Sequence, residues 1–179
     1  MKTILLKFAG PMQSWGTDSH FETRHTDLYP SKSAVIGMIG AALGIRRDDN
    51  SIDDFDSLKF AVRVDQEGSL LKDYHIARKY KTGGDFDRTY VTERYYLEDA
   101  VFVVAISHED DNLIEKIYEA LKRPYFQMFL GRRSIPVLAD FILGNFDGDI
   151  RDALEKCEWQ AKDYYKKRYN TNQKSLDVY

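Results

Sequence analysis

The order of apolar and polar segments along the chain predicts an α+β fold, with a βαββαβ body and one long projecting hairpin. Four segments have the short apolar or alternating pattern of strands, and two others have the spacing of helices. A polar segment at about residues 70–97 has the pattern of two strand arms joined by a glycine turn. With 179 residues the chain can bury a sizeable core, and we expect a single domain.

Composition and charge narrow the classes of protein to consider. Hydrophobic residues make up 43% and charged residues 31%, as in soluble globular proteins. The net charge of −3 gives no bulk sign of nucleic-acid binding, so any such role must depend on a local positive patch. The single cysteine, Cys157, excludes a disulfide framework and a cysteine-rich zinc site. A single cysteine also fits a reducing cytoplasm. Because no apolar run approaches the ~20 residues of a membrane span, we expect no membrane partner.

The first strand is predicted at Thr3–Ala9 and is followed by a turn-rich loop that two glycines bracket. Within this loop Gln13, Ser14 and Trp15 offer hydrogen bonds and a stacking plane to a ligand. A tryptophan packed beneath the loop is the commoner arrangement and stays open as the alternative.

A helix is predicted to begin just after Pro30, with Ser31 as its cap and Gly44 as its end. Lys32 and Ser33 then lie in the first turn. Free amides, hydroxyls and a lysine at a helix N-terminus suit an anion such as phosphate. An ordinary core helix with a polar cap is the alternative interpretation.

The same helix carries Gly37, Gly40 and Gly44 on one face. An interior glycine costs a helix about 0.5–1 kcal/mol relative to alanine. Two such losses in a short and otherwise apolar helix predict that another backbone approaches this face closely.

The rest of the body is predicted from alternation and helical spacing. After an acidic connection, strands are expected at Leu58–Asp65, Val101–Ile106 and Val137–Phe146. A helix is expected at Asn112–Leu121, and Asp149–Trp159 can also be helical. The second helix can start earlier, at Asp110 or Asp111. With the hairpin set aside, the order is βαββαβ, the ferredoxin-like or RRM-type unit. Two helices then cover one sheet face and the other is available for a ligand or RNA, although the RNP aromatic pattern is missing.

The predicted hairpin has arms at Leu70–Tyr80 and Thr89–Leu97, joined by a turn at Lys81–Asp85. It is rich in tyrosine, and too little of it is apolar to bury both faces, so we expect it to project. Such a hairpin suits contact with nucleic acid or a protein partner, and a solvated hairpin with balanced charge is the alternative.

A local positive region lies at Lys122–Ser134, which contains Arg132 and Arg133 but no acidic residue. Beside Gly131, such a loop can present backbone amides and guanidinium groups to phosphates. Surface arginines after a strand are the alternative.

The histidines give little support to catalysis. His20 and His25 lie five residues apart, which is poor spacing for a metal, and no carboxylate or cysteine set completes a metal site. His75 near Lys72 could act in metal-free RNA cleavage. No P-loop, GxSxG or Rossmann fingerprint is present, and we expect no cofactor.

Six ordered blocks of sequence carry a more specific resemblance. They are AGPMQSWG, YPSKSAVIGMIGAALGIRRDD, FAVRVDQ, LKDYH, RYYLEDAVFVVA and FLGRRSIP. Together these blocks, which span most of residues 3–146, resemble the crRNA 5′-handle-binding subunits of the type I-E CRISPR Cascade complex, the CasD family within the RAMP superfamily.

This resemblance implies an RRM-like body that grips the 5′ handle of the guide RNA. Carried onto this sequence, the contacts of the body fall at Gln13, Ser14, Trp15, Lys32, Ser33, Arg132, Arg133 and Ser134. The resemblance also implies a thumb at roughly Lys72–Arg94, inserted between guide and target near the handle–spacer junction. Its candidate contacts are Lys72, Tyr74, His75, Arg78, Lys79, Arg88 and Arg94.

The resemblance further implies protein partners and the absence of catalysis. The subunit is expected to lie between the backbone subunits and the large subunit, to meet target DNA near the junction, and to serve antiviral defence without cutting RNA. A related subtype has a metal-independent endoribonuclease, for which Tyr29, Lys72 and His75 are the candidates here.

The expected organisation is an RRM-like body over residues 1–160, with the thumb inserted at about 70–97. Residues 161–179 form a polar, basic tail without a core pattern, expected to be poorly ordered or to dock on a partner. The resemblance implies a further basic, strand-forming segment beyond Asp177–Tyr179, so a truncated form, a natural short form and a diverged C-terminus all stay open.

Overall fold

The computed structural model describes residues 1–16, 20, 22–46, 48–169 and 175–179. Its strands are β1 (Lys2–Ala9), β2 (Met12–Gln13), β3 (Thr23–Arg24), β4 (Lys59–Gln66), β5 (Ser69–Tyr80), β6 (Phe86–Glu98), β7 (Val101–His108) and β8 (Ile142–Asp147). Its α-helices are α1 (Lys32–Leu43), α2 (Asp111–Lys122), α3 (Ile150–Lys156) and α4 (Asp163–Lys166). The acidic connection before β4 is a 3-10 helix at Asn50–Ser57, and β8 is shorter than the predicted strand.

The body contains a four-stranded antiparallel sheet in the order β4-β7-β1-β8. The strand that follows α1 lies at one edge, and the strand that follows α2 lies at the other. This order is that of the ferredoxin-like unit, so the predicted fold class is confirmed.

Helices α1 and α2 cover one face of this sheet. Alternate residues of β1 and β7 point into this core, where Ile4, Leu6, Phe8, Phe102, Val104 and Ile106 are almost completely buried. The helices contribute residues such as Ile39, Ile114 and Ile117. Alternation along the strands and helical spacing between them thus produce one continuous core.

The opposite sheet face is closed, which corrects the expectation that it is available to a ligand. Leu5, Val103 and Ala105 of this face pack against Ala153 and Leu154 of α3. Their side chains are as apolar as those of the other face, so leaving them exposed would be unfavourable.

A buried ion pair on β4 holds the segment after α3 against this face. The Arg63 guanidinium donates to the Asp65 carboxylate at 2.7 and 2.9 Å, and to the Cys157 carbonyl at 2.9 Å. The carboxylate also accepts from the Gln160 amide at 2.6 Å. Burial alone lowers the pKa of Arg63, but its hydrogen bonds and attraction to Asp65 outweigh burial and leave the pKa raised.

The predicted limits of α1 are confirmed at both ends. The Ser31 hydroxyl accepts from the Ala34 amide at 3.3 Å, and Gly44 ends the helix in the left-handed conformation with φ of 79°. The predicted backbone contact at the glycine face is wrong. A Cβ at Gly37 would meet nothing described within 4 Å, and one at Gly40 would meet the Ile52 side chain at 3.2 Å.

The hairpin is confirmed as two long arms, β5 and β6, paired from Ser69↔Glu98 to Tyr80↔Phe86. In the turn the Lys81 amide donates to the Asp85 carbonyl at 2.8 Å. Away from the body, five large hydrophobic side chains of the hairpin are 44–60% exposed: Tyr74, Ile76, Tyr80, Phe86 and Val91. Near the body, β6 also pairs with β2 and with β3.

The segment after residue 160 contacts the body in its described parts. Ala161 is buried, Lys162 pairs with Asp99, and the Gln66 amide donates to the Tyr164 hydroxyl at 3.0 Å. Farther along, the Tyr179 backbone exchanges hydrogen bonds with the backbone of β4. Residues 170–174 of the expected tail lie outside the described residues. In the part of the chain that the structure describes, no helix combines the length and apolar character needed to cross a bilayer.

Candidate nucleic-acid interface

A polar cleft of about 370 Å³ lies where the hairpin meets the body. Three segments line it: the loop after β1, the chain around β3, and the turn after residue 130. The lining residues are Ser14, Gly16, His20, Arg24, His25, Gly131 and Arg132. Because these segments are far apart in the sequence, the fold is what assembles the cleft.

Gly131 determines how closely two of these segments approach. Its φ is 85°, and a Cβ at this position would overlap the Ser14 carbonyl oxygen. The Ser14 amide donates to the Leu130 carbonyl at 3.2 Å. A glycine is therefore required here for both its backbone conformation and its lack of a side chain.

The adjacent Arg132 lies with its guanidinium carbon 4.6 Å from the centre of the Tyr96 ring. This distance is that of a cation–π contact, which orients the guanidinium at the cleft. The pKa of Arg132 is lowered, mainly by burial and further by the charges of Arg94 and Arg24. Tyr96 and Asp73 act in the opposite direction and raise it, but by less.

Arg24 and Arg94 are neighbours in register across the parallel pairing of β3 with β6. With Arg132 they form what we call the arginine cluster. Asp73 is paired with Arg94 from the other side, on β5. The Nε atom of Arg94 is buried and has no hydrogen-bond partner among the described residues. Arg24, Arg94 and Asp73 are therefore in register across three strands, and their charges act on Arg132, so positive charge exceeds negative charge here and attracts an anion.

A stacked aromatic pair connects the cleft wall to the hairpin. The His25 ring stacks on the Tyr95 ring with centroids 5.5 Å apart and an interplanar angle of 13°. His20 and His25 both line the cleft. Within the described ranges, no group of three or more His, Cys, Asp or Glu side chains could hold a metal ion.

Gln13 and Trp15 are buried, being 0% and 2% exposed, and Trp15 forms part of the wall of the apolar groove described below. The Gln13 amide donates to the carbonyls of Phe8 and Ala100, at 3.1 and 2.8 Å, and accepts from the Trp15 indole at 3.1 Å. Trp15 also stacks on Phe8, with centroids 5.3 Å apart. The expected ligand contacts of these two side chains are therefore corrected: both hold the loop in place, and Ser14 alone of the three lines the cleft.

The remaining predicted residues of the body do not line the cleft. Lys32 donates to the Asp56 carbonyl, and Ser33 shares a hydrogen bond with Ser31 at the exposed start of α1. Arg133 and Ser134 are exposed on the turn that follows Gly131. The structure thus joins Ser14 to Arg132 but does not bring the first turn of α1 into this cleft.

An apolar groove of about 890 Å³ lies beside the cleft, and Gly131 lines both. The glycine face of α1 forms one wall, and the segment from Phe126 to Phe129 contributes to another. Arg46 and Arg133 are among the residues that line it. The open space over Gly37 is therefore part of a groove and not a site of backbone packing.

The predicted hairpin residues separate onto two faces, because neighbours along a strand point in opposite directions. Lys72, Tyr74 and Arg78 share one face, while His75 and Lys79 share the other. Lys72 pairs with Glu93 at 2.6 Å, Lys79 with Asp87 at 3.3 Å, and Arg88 lies 5.5 Å from the centre of the Tyr90 ring.

The alternative catalytic set is not assembled. His75 and Lys72 are three positions apart on β5, so their side chains leave opposite faces of the hairpin. Tyr29 stacks on Tyr179, whose backbone pairs with β4, with ring centroids 4.5 Å apart.

Sequence reasoning missed Arg24 and the role of Arg94 at the cleft. Arg24 lies in a polar segment without periodicity, and Arg94 was expected to contact ligand as part of the thumb. Only the two-residue pairing of β3 with β6 brings them together. No local pattern in the sequence signals that pairing.

The fold and the cleft define a ferredoxin-like protein with an attached hairpin and a cationic cleft at the hairpin's foot. A family model described as CRISPR-associated protein (Cas_Cas5) matches residues 3–174. The chain therefore belongs to the Cas5 family of CRISPR-associated proteins.

Individual relatives agree with this family. The chain is 35% identical over 178 residues to the CRISPR system Cascade subunit CasD of Escherichia coli (strain K12), covering 90% of this chain and 80% of that protein. It is similar to a chain of a solved CRISPR RNA-guided surveillance complex, with 39% identity and a TM-score of 0.77, covering 87% of this chain and 68% of the other. A crystal structure of a Cas protein is also similar, with 36% identity and a TM-score of 0.62, covering 86% and 69%.

Proposed function

We propose that this chain is a non-catalytic RNA-binding subunit of a type I-E CRISPR surveillance complex, and that it grips the 5′ handle of the crRNA. The cationic cleft is the observation that carries the proposal, because it brings Arg24 and Arg132 together with polar side chains at one solvent-accessible place. The relatives named as a Cascade subunit and as part of an RNA-guided surveillance complex support the assembly. In this role the chain works in the cytoplasm, beside backbone and large subunits.

Phosphate contacts supply most of the affinity in this proposal. Arg132 offers a fork of donors from within the cleft, while Arg133 and Ser134 are exposed on the same turn. Lys32 and Ser33, at the exposed start of α1, are proposed as a separate contact with the handle, outside the cleft. Unpaired handle bases would add sequence preference through stacking and hydrogen bonds to their edges.

The hairpin gives the subunit a second contact. Its exposed aromatic and aliphatic side chains, among them Tyr74 and Ile76, suit packing against bases or a neighbouring subunit. Arg78, Lys79 and Arg88 add positive charge along it. We assign this thumb to the handle–spacer junction, where it meets the guide and the target DNA.

A non-catalytic role is favoured because His75 and Lys72 leave opposite faces of β5 and cannot act together on one phosphate. Discrete cleavage of repeat RNA by the pure protein in EDTA, abolished by His75→Ala, would contradict this part of the proposal.

The test of binding uses the assembled complex and compares handle RNA with a scrambled RNA of equal length. We expect preference for the handle, and at least about a tenfold loss of affinity for Arg132→Ala/Arg133→Ala, since hydrogen bonds to charged groups contribute about 1.5–3 kcal/mol. Losing two phosphate contacts should also weaken the salt dependence of binding. The slope of log affinity against log salt concentration, the salt slope, should fall in magnitude by about 1.4.

A matched control removes two cations from α3, Arg151→Ala/Lys156→Ala, where Arg151 forms an exposed pair with Glu155. This control should bind handle RNA as the wild type does. Equal affinity of the wild type for both RNAs, or equal loss in the two double variants, would contradict the proposed function.

A further inference from the structure

The arginine cluster places like charges in direct register. Arg24 of β3 is the neighbour of Arg94 on β6, and Arg132, which lines the same cleft as Arg24, lies within electrostatic range of both. Like charges that face each other across paired strands destabilise the pairing. Asp73 provides one compensating carboxylate, which leaves an excess of positive charge around this pairing.

The pairing of β3 with β6, which this repulsion weakens, is short. Strand β3 has only two residues, and the Glu93 amide donates to the Glu22 carbonyl at 2.8 Å. The stack of His25 on Tyr95 is the next contact along the same segment. On its other side this segment is tied to the loop after β1, because the Trp15 amide donates to the Thr26 hydroxyl at 2.8 Å. Residues 22–26 thus connect the foot of the hairpin to the body.

We propose that the arginine cluster is a phosphodiester site, and that an RNA phosphate bound there stabilises the pairing of β3 with the hairpin. This inference rests on the proposed function and assigns one backbone phosphate of the single-stranded RNA to Arg24, Arg94 and Arg132. The bound anion neutralises the repulsion between Arg24 and Arg94, which are in register on paired strands. RNA binding therefore fixes the hairpin to the body.

A phosphodiester is the anion that the proposed function brings to this cleft. Its two non-bridging oxygens accept from several guanidinium groups, and the cleft beside them is lined by the backbone of Gly16 and Gly131. Because inorganic phosphate shares this chemistry, the experiment includes it as a separate arm at equal ionic strength.

The test uses the full chain in the assembled complex, with single-stranded repeat RNA as the probe and Arg24→Gln as the variant. We expect affinity to fall about tenfold, as for a lost charged hydrogen bond, and the salt slope to fall by about 0.7. Arg24→Lys should keep the salt slope while losing affinity, because it keeps the charge but not the fork. Arg151→Gln, on α3, is the matched control and should bind as the wild type does.

Amide hydrogen exchange provides the second readout. RNA should slow exchange at residues 22–25 and 93–95 of the wild type, and much less so in Arg24→Gln. Inorganic phosphate should protect the same amides only at far higher concentration. Without RNA, Arg24→Gln should exchange more slowly than the wild type there, since the repulsion is gone.

Several outcomes would overturn the inference without affecting the proposed function. One is wild-type RNA affinity in Arg24→Gln while Arg132→Ala/Arg133→Ala loses binding; another is RNA binding with no protection at residues 22–25. Arg24→Gln that binds RNA normally but fails to join the protein subunits would assign the cluster to an acidic protein surface. Absence of handle preference in the wild type would instead reject the proposed function itself.

Discussion

The body and the hairpin of this protein are built in opposite ways. The body buries both faces of its sheet, including the ion pair of Arg63 with Asp65. Each arm of the hairpin is longer than any strand of the body's sheet. Even so, its side chains are poorly buried, since Tyr74 is 60% and Ile76 is 52% exposed. The difference indicates that the body carries the stability, while the hairpin leaves its side chains at the surface. The same kind of substitution should therefore lower the free energy of unfolding much more in the body than in the hairpin.

The largest expected effect is that of Asp65→Ala in the body. It leaves the Arg63 guanidinium, only 5% exposed, without its carboxylate, and loss of one partner of a buried pair costs about 3–5 kcal/mol. We expect this loss in the free energy of unfolding measured by urea denaturation. The matched control is Asp87→Ala, which removes the partner of Lys79 in the hairpin and should cost less than about 1 kcal/mol. Similar costs for both would refute the contrast.

Gly131→Ala, at the cleft between the two regions, should have the next largest effect. The left-handed conformation costs a residue with a Cβ about 1–2 kcal/mol, and overpacking against Ser14 adds about 1–3 kcal/mol. We expect a total loss of about 3 kcal/mol in thermal or urea unfolding.

The control for this substitution is Gly83→Ala in the hairpin turn, where a Cβ would meet nothing described within 4 Å. It should change the free energy of unfolding by less than about 0.5 kcal/mol. If Gly131→Ala were equally well tolerated, the segments that form the cleft would not be as closely fixed as we describe.

Sequence alone was sufficient where a local rule determines the structure. The cap at Ser31 and the end at Gly44 follow from side-chain and backbone preferences within α1. The hairpin follows from its turn glycines and long polar arms, and the sheet order follows from the βαββαβ pattern.

The sequence was insufficient where distant segments meet. A polar residue in a turn-rich loop can point outward or accept buried hydrogen bonds, and Gln13 does the latter because two backbone carbonyls lie beside it. Gly37 and Gly131 are both glycines next to apolar residues, but only Gly131 has another backbone against it. Arg24 joins the arginine cluster through tertiary pairing, which no spacing in the sequence encodes.

The smallest expected effect is that of an isoleucine-to-threonine substitution in the hairpin, which we compare with the same substitution in the body. Ile76→Thr in the hairpin removes apolar area that is already 52% exposed and keeps a β-branched side chain, so we expect a change below about 0.5 kcal/mol. Ile106→Thr in β7 buries a hydroxyl within the core at a site 1% exposed, and should cost about 2–4 kcal/mol. Urea unfolding of both variants measures the difference. If Ile76→Thr cost as much as Ile106→Thr, the hairpin would be packed in solution, and its exposed face would not be free to meet a partner.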